Sequence, residues 1–148
     1  MSANHAATPE VSALAQAAAQ PLAPAGELAK RFPLSASDHR ASDAQRQQAL
    51  DELRFGTVFS DHMAHAHWSY EAGWSQREVV PFAPLTLSPA AAVFHYGQEV
   101  FEGIKAYRHE DGSIWTFRPG YNAARLAASC RRLCLPELEH EDFVASIA

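Results

Sequence analysis

Lysine is the first side chain to consider for chemistry, because an uncharged lysine can act as a nucleophile. The chain has two lysines, Lys30 and Lys105. Such a role requires desolvation or a cationic neighbour that lowers the pKa of the amine. Lys105 lies in FHYGQEVFEGIKAY (94–107), where a strand lysine beside a tyrosine usually projects to solvent. Lys30 lies in a polar segment beside Arg31. We therefore expect neither lysine to be a catalytic amine.

Three histidines in HMAHAHW suggest a metal site at first sight. His65 and His67 share one face of a strand, because side chains repeat every second residue, whereas His62 lies on the other face. A tetrahedral site needs three or four converging ligands, and no cysteine or acid at a suitable spacing completes it. The sequence predicts no metal site, although a histidine metal binder remains an alternative function.

Arg125 has two interpretations. It follows Pro119 and Gly120 near the start of a predicted helix, where unpaired backbone N–H groups favour an anion. A guanidinium there can bind phosphate oxygens in bidentate fashion. A surface ion pair with Glu137 or Glu139 explains the same residue equally well.

Three aromatic residues, Phe59, Tyr96 and Phe101, lie near the ends of predicted elements, close to Gly97 and Gly103. Large aromatics are ordinarily part of the core. They can equally form the wall of an apolar pocket, with one phenol to orient a ligand. Their chemistry alone leaves both interpretations open.

The composition predicts one cytoplasmic globular domain. The chain has 148 residues, of which 47% are hydrophobic and 20% charged, and a formal net charge of −5, which argues against a nucleic-acid surface. No stretch approaches the roughly 18 apolar residues that a membrane span needs, and no secretory signal is recognisable. The two cysteines, Cys130 and Cys134, are interpreted as buried thiols in a reducing compartment.

The chain divides into three parts by composition. Residues 1–25 are rich in Ala, Pro and Gln and predict a disordered or loosely attached arm. Residues 26–54 form a polar segment with one weak helix near 43–53, capped by Ser42. Residues 55–148 form the organised domain. Its last helical pattern stops abruptly, which suggests a fragment of a longer protein.

The first half of the organised domain predicts two strands and a helix. FGTVFSDHMAHAHW (55–68) is rich in β-formers, and REVVPF (77–82) returns after a turn. The following run, 87–101, predicts a helix with Ser88 as its N-cap and Pro89 at its first position.

The second half predicts a hairpin and two helices. Asp111–Gly112 tolerates the positive φ angles of a tight turn between 103–110 and 113–119. A helix follows Pro119, and another begins near Glu139. Apolar residues of the first helix are spaced to face inward, whereas Arg125, Ser129 and Arg132 form a polar face. The inward residues are Leu126, Cys130, Leu133 and Cys134.

The run from Phe55 to Ile147 resembles the N-terminal domain of the branched-chain amino acid aminotransferases, which are pyridoxal-phosphate enzymes of fold type IV. The resemblance implies an α/β (α+β) domain with a mixed or antiparallel sheet and packed helices, whose C-terminal partner domain is missing. Four blocks carry it in the same order: FGTVFSDHM (55–63), VVPFAPLTLSPAAAV (79–93), HYGQEVFEGIKAYR (95–108) with IWTFRP (114–119), and NAARLAASCRRLCLP (122–136).

The resemblance also implies a function in branched-chain amino acid biosynthesis. The activity is amino-group transfer between leucine, isoleucine or valine and 2-oxoglutarate, with pyridoxal 5′-phosphate as cofactor, in a homodimer. Arg125 matches the arginine that holds the cofactor phosphate, and three aromatics match the pocket for the branched side chain: Phe59, Tyr96 and Phe101. Lys105 does not match the Schiff-base lysine, which lies in the second domain. The chain alone is therefore expected to be inactive.

Two other functions remain open. Another fold-type IV enzyme, such as a D-amino acid transaminase or an aminodeoxychorismate lyase, is the nearest alternative, although FGTVFSDHM and YGQEVFEG favour the branched-chain group. A non-catalytic domain that dimerises or binds a partner is the alternative of a different class.

Overall fold

The computed structural model describes residues 9–52 and 54–148 and shows a mixed fold of helices and antiparallel strands. The elements, in chain order, are α1 (Pro9–Ala18), α2 (Ala25–Leu28), a 3-10 turn (Ala29–Arg31), α3 (Asp43–Glu52), β1 (His62–Ser69), β2 (Gly73–Pro81), α4 (Ala92–Tyr96), β3 (Ala106–Arg108), β4 (Ile114–Thr116), α5 (Pro119–Arg132) and α6 (His140–Ala145).

Strands β1 and β2 form an antiparallel hairpin in which His62 pairs with Pro81 and Trp68 with Trp74. The register shifts between His65 and His67, and Gln76 on the opposite strand has a φ of 48°. This combination is a β-bulge. The prediction of a strand over 55–68 is wrong in its first half, because Gly56 adopts a φ of 71° in a turn and β1 begins only at His62.

A short extended segment adds to this hairpin. Leu34 forms a parallel bridge with Val79. The Ser35 amide donates to the Val79 carbonyl at 2.8 Å, and the Val79 amide donates to the Pro33 carbonyl at 3.0 Å. The segment before α3 is therefore bound to β2 by backbone hydrogen bonds.

The core lies between this hairpin, α2 and α6. Leu28 and Phe32 are 3% and 4% exposed, and they pack with Val144 and Ala145 of α6. Val79 of β2 packs against the same cluster. Residues 26–54 were expected to be a polar segment, but they supply half of the buried cluster, because Leu28 and Phe32 are spaced to share one side of a helical turn.

A buried carboxylate joins three elements beside this core. Asp142 of α6 has no exposed surface. Its Oδ1 accepts from Arg31 Nε at 2.6 Å, and its Oδ2 accepts from Arg77 Nε at 2.7 Å. Because an unpaired buried charge is costly, the two guanidiniums explain why a carboxylate is tolerated here.

Helix α5 begins at Pro119 as predicted, but its buried face differs from the predicted stripe. Cys130 is buried, and burial raises the pKa of its thiol. Leu133 and Cys134 are exposed instead, since the helix ends at Arg132 and Cys134 has a φ of 53°. Small residues form the buried face: Gly120, Ala123, Ala124, Ala127 and Cys130.

Small residues on α5 allow α1 to pack closely against it. A Cβ atom on Gly120 would lie 3.0 Å from the Ala18 carbonyl oxygen. Within the segment 1–25, predicted to be a disordered or loosely attached arm, the described helix α1 packs against α5, because an alanine-rich helix can approach another helix closely even though it has little side-chain area to bury.

Three further local predictions have mixed outcomes. Strands β3 and β4 pair as an antiparallel hairpin, as predicted. At the start of α3 the Ser42 hydroxyl accepts a hydrogen bond from the backbone N–H of Gln45 at 3.3 Å, which confirms Ser42 as the cap. The helix predicted over 87–101 is wrong: only Ala92–Tyr96 is helical, its N-cap is Ala91, and Gly97 ends it with a φ of 57°.

Candidate anion site on helix α5

A bidentate ion pair defines the candidate site. Arg125 Nε donates to Glu102 Oε1 at 2.5 Å, and Arg125 Nη2 donates to Glu102 Oε2 at 2.7 Å. The side chain of Glu102 is 6% exposed, whereas that of Arg125 is 54% exposed. Two parallel bonds of this kind fix the plane of a guanidinium.

Asn122, one turn earlier on α5, also contacts the Glu102 carboxylate. Its Nδ2 donates to Glu102 Oε2 at 2.9 Å and to the Gly103 carbonyl at 3.0 Å. The hydrogen bond from Arg125 is the main cause that lowers the pKa of the Glu102 carboxyl, and the bond from Asn122 adds to it, whereas burial opposes both. The Glu102 carboxylate is therefore stabilised in its charged form.

Glu102 lies in the connector between α4 and β3, where residues 97–105 form neither helix nor strand. Positive φ at Gly97 ends α4 and turns the chain. The connector then runs against α5, and Gln98 Nε2 donates to the Leu133 carbonyl at 2.8 Å. Polar contacts therefore attach this irregular segment to the helix.

A groove of about 580 Å³ adjoins Arg125. Arg125, Ser129 and Arg132 line it from the polar face of α5, which confirms the prediction that these three residues share a side of the helix. Arg125 lies in the second turn of α5, so the unpaired amides of the first turn are not its immediate setting. Any anion here would be held by side chains.

Part of the Arg125 guanidinium has no hydrogen-bond partner among the described residues. Within the described parts of the chain, its Nη1 makes no hydrogen bond, since Glu102 engages only Nε and Nη2. The groove thus combines two arginines and a serine, and the buried carboxylate of Glu102 holds one of the two guanidiniums. This donor set fits a phosphate group, because phosphate binds to multiple N–H and O–H donors.

The predicted ion pairs of Arg125 with Glu137 or Glu139 are wrong. Glu137 pairs with Arg131, and Glu139 pairs with Arg31. Glu102 is 23 positions away from Arg125 in the chain, so local sequence does not indicate this pair. The only sequence signal was an acid placed between an aromatic and a glycine in FEG, within the block that carries the family resemblance.

The three candidate pocket aromatics are not buried together. Phe59 stacks on Phe82 with ring centroids 5.0 Å apart and faces a cleft between α3 and residues 58–61. Tyr96 and Phe101 are 86% and 87% exposed. The interpretation of these residues as core is therefore wrong, and none of them lines the groove beside Arg125.

The lysines and histidines have other surroundings. Lys105 is exposed one residue before β3, and Lys30 pairs with Glu27 at 2.8 Å. His62 Nε2 accepts from the Ser37 amide at 2.9 Å. Among the residues that the structure describes, no three His, Cys, Asp or Glu side chains are placed to hold a metal ion. The same residues contain no helix long and apolar enough to cross a membrane.

Comparison with known proteins gives a consistent result, although no protein-family model matches the sequence. The chain is 48% identical over 116 residues to the branched-chain-amino-acid aminotransferase of Mycolicibacterium smegmatis. It is 50% identical over 111 residues to a probable branched-chain-amino-acid aminotransferase of Streptomyces coelicolor and 42% identical over 118 residues to the cytosolic enzyme of Saccharomyces cerevisiae.

These matches cover 75–78% of the chain but only 31–32% of each relative. A match of 116 residues is longer than the segment 55–148, so the similarity extends into the residues before Phe55. This agrees with the packing of Leu28 and Phe32 into the core. Over about three-quarters of its length the chain is therefore similar to branched-chain-amino-acid aminotransferases, and it spans about a third of the length of these relatives.

Proposed function

We propose that this chain forms the N-terminal domain of a cytoplasmic, homodimeric branched-chain amino acid aminotransferase of fold type IV. The reaction is amino-group transfer between leucine, isoleucine or valine and 2-oxoglutarate. The observation that carries the proposal is an identity of 48–50% to bacterial aminotransferases over three-quarters of the chain. The names of these relatives favour this reaction over those of a D-amino acid transaminase or an aminodeoxychorismate lyase.

In this proposal Arg125 binds the phosphate of pyridoxal 5′-phosphate, and Ser129 and Arg132 supply further donors. All three line one groove, and Arg125 retains an unpaired Nη1 among the described residues. When bound, the cofactor supplies the electron sink for bond changes at the amino-acid α-carbon. The part played by this chain is to hold and orient the phosphate.

The electrostatic balance of the groove supports a phosphate ligand. Arg125 and Arg132 bring two positive charges to its wall, and Glu102 offsets one of them. A phosphate monoester carries about 1.5 to 2 negative charges near neutral pH. The groove wall therefore keeps a net positive charge for the ligand, while the buried Glu102 carboxylate remains paired with Arg125.

Phe59, Tyr96 and Phe101 are proposed to contact the branched side chain of the substrate in the complete enzyme. Their exposure leaves them available for a ligand or for another part of the protein. Lys105 is not the amine that reacts with the cofactor in this proposal. The 148-residue chain alone should therefore form no glutamate from leucine and 2-oxoglutarate.

A chimera tests the proposal directly. The matching third of the Mycolicibacterium enzyme is replaced by this chain, and glutamate formation from leucine and 2-oxoglutarate is measured. We expect turnover by the chimera, and loss of most of it in the Arg125→Ala chimera. A chimera that folds and binds cofactor but does not transaminate would contradict the proposal, as would full activity of the Arg125→Ala form.

A further inference from the structure

We propose that Glu102 is a positioning residue that holds the Arg125 guanidinium in the orientation that binds phosphate. The inference rests on the proposed function of Arg125 and adds a residue to it. The carboxylate of Glu102 acts through Arg125 and need not touch the ligand itself.

The geometry of the pair supports orientation. An arginine whose side chain is 54% exposed would ordinarily sample many rotamers. Glu102 accepts hydrogen bonds from both Nε and Nη2, at 2.5 and 2.7 Å. These two bonds restrain rotation of the guanidinium about the Cδ–Nε bond. Ordering Arg125 before the ligand arrives removes part of the entropy cost of binding.

Glu102 can hold Arg125 because Glu102 is itself held. Its side chain is 6% exposed, and Asn122 donates to its Oε2 at 2.9 Å. Asn122 and Arg125 are three positions apart on α5, so they meet the carboxylate from the same side of the helix. The carboxylate is therefore attached to the helix that carries the arginine.

Charge alone makes the opposite prediction for this residue. Glu102 is negative and lies beside a site for an anion, so neutralising it should strengthen phosphate binding if electrostatic attraction dominates. Orientation predicts weaker binding instead, since a glutamine has one acceptor oxygen and would place an N–H donor against Arg125 or Asn122. The sign of the change therefore separates the two explanations.

The test uses the 148-residue chain and pyridoxamine 5′-phosphate, which has no aldehyde to react with surface lysines. Its dissociation constant is measured by isothermal titration, with pyridoxamine as the ligand that lacks phosphate. Glu102→Gln should bind about three- to tenfold more weakly, the range expected from freeing one long side chain. Glu99→Gln is the matched control: it makes the same charge change in the same connector, and Glu99 is exposed. Its affinity should be unchanged or slightly higher.

Arg125→Ala separates this inference from the proposed function. If Arg125→Ala loses binding while Glu102→Gln binds as tightly as the unaltered chain or more tightly, the role of Glu102 is wrong and the phosphate site stands. If Arg125→Ala leaves binding unchanged, or the unaltered chain does not discriminate pyridoxamine 5′-phosphate from pyridoxamine, both proposals fail.

Circular dichroism monitors folding of each variant. Should Glu102→Gln not fold, Asn122→Ala takes its place, because it removes one of the contacts that hold the carboxylate. It should weaken binding about twofold, a smaller change of the same sign, since Arg125 keeps both of its bonds to Glu102. Unchanged or tighter binding by a folded Asn122→Ala variant would then overturn the inference.

Discussion

Two regions of this chain are built in different ways. The packed region comprises residues 22–35, the β1–β2 hairpin and α6, which surround the cluster of Leu28 and Phe32, together with α5, which packs against α6. The second region, residues 82–118, includes the connector between α4 and β3 and is called the connector region. It presents large apolar side chains to the surface. Those that are more than half exposed include Phe82, Leu85, Leu87, Phe94, Tyr96, Phe101, Tyr107, Ile114, Trp115 and Phe117.

The connector region is attached by polar contacts. Glu102 pairs with Arg125, and Gln98 hydrogen-bonds to the end of α5, while the aromatic side chains are left unburied. Exposed apolar surface of this extent is typical of binding or contact surfaces. The packed region is therefore stabilised by apolar burial within the chain, whereas the apolar residues of the connector region contribute little to the stability of the fold.

The largest effect is expected at the buried carboxylate of the packed region. Asp142→Ala leaves Arg31 and Arg77 without their common partner and should lower the free energy of unfolding by about 3 kcal/mol. Urea unfolding followed by tryptophan fluorescence measures it. Glu141→Ala is the control, because its pair with Arg31 is half exposed and is worth less than about 1 kcal/mol. Equal losses in the two variants would contradict this account of the packed region.

A matched pair of leucines compares the regions most directly. Leu28→Ala removes a side chain that is 3% exposed and should cost about 2 kcal/mol of unfolding free energy. Leu85→Ala removes one that is 69% exposed and should change it by less than about 0.5 kcal/mol. The same urea experiment measures both. A large loss at Leu85 would show that the connector region contributes to the core after all.

The smallest effect is expected from acid, at the contact between the regions. Because its folded-state pKa is lowered, Glu102 contributes stability at neutral pH that is lost as the pH falls through that pKa. The difference in unfolding free energy between the unaltered chain and Glu102→Gln should be constant above about pH 5. It should shrink below about pH 4.3, the ordinary pKa of a glutamate side chain.

Denaturant titrations at several pH values measure this difference, and Glu99→Gln serves as the control because, in the described part of the chain, the carboxylate paired with Arg125 is that of Glu102. A difference that grows on acidification would mean that the pair does not stabilise the fold in its ionised form.

Elements that depend on neighbouring residues could be predicted from the sequence. Asp111–Gly112 predicts the β3–β4 hairpin, and Gly112 adopts the positive φ, 83°, that a tight turn uses. Pro119 marks the start of α5, and Ser42 caps α3, because these preferences act within one helical turn. The resemblance to branched-chain aminotransferases was also recognisable, because the four blocks that carry it can be compared residue by residue without knowing which residues are in contact.

Contacts between distant residues could not be predicted from the sequence, because they depend on how the chain folds. The partner of Arg125 is Glu102 and not Glu137 or Glu139, because the connector lies against α5. Leu28 and Phe32 belong to the core because α6 and the first hairpin close over them. Each of these outcomes depends on contacts between segments far apart in sequence, and local preference carries no information about them.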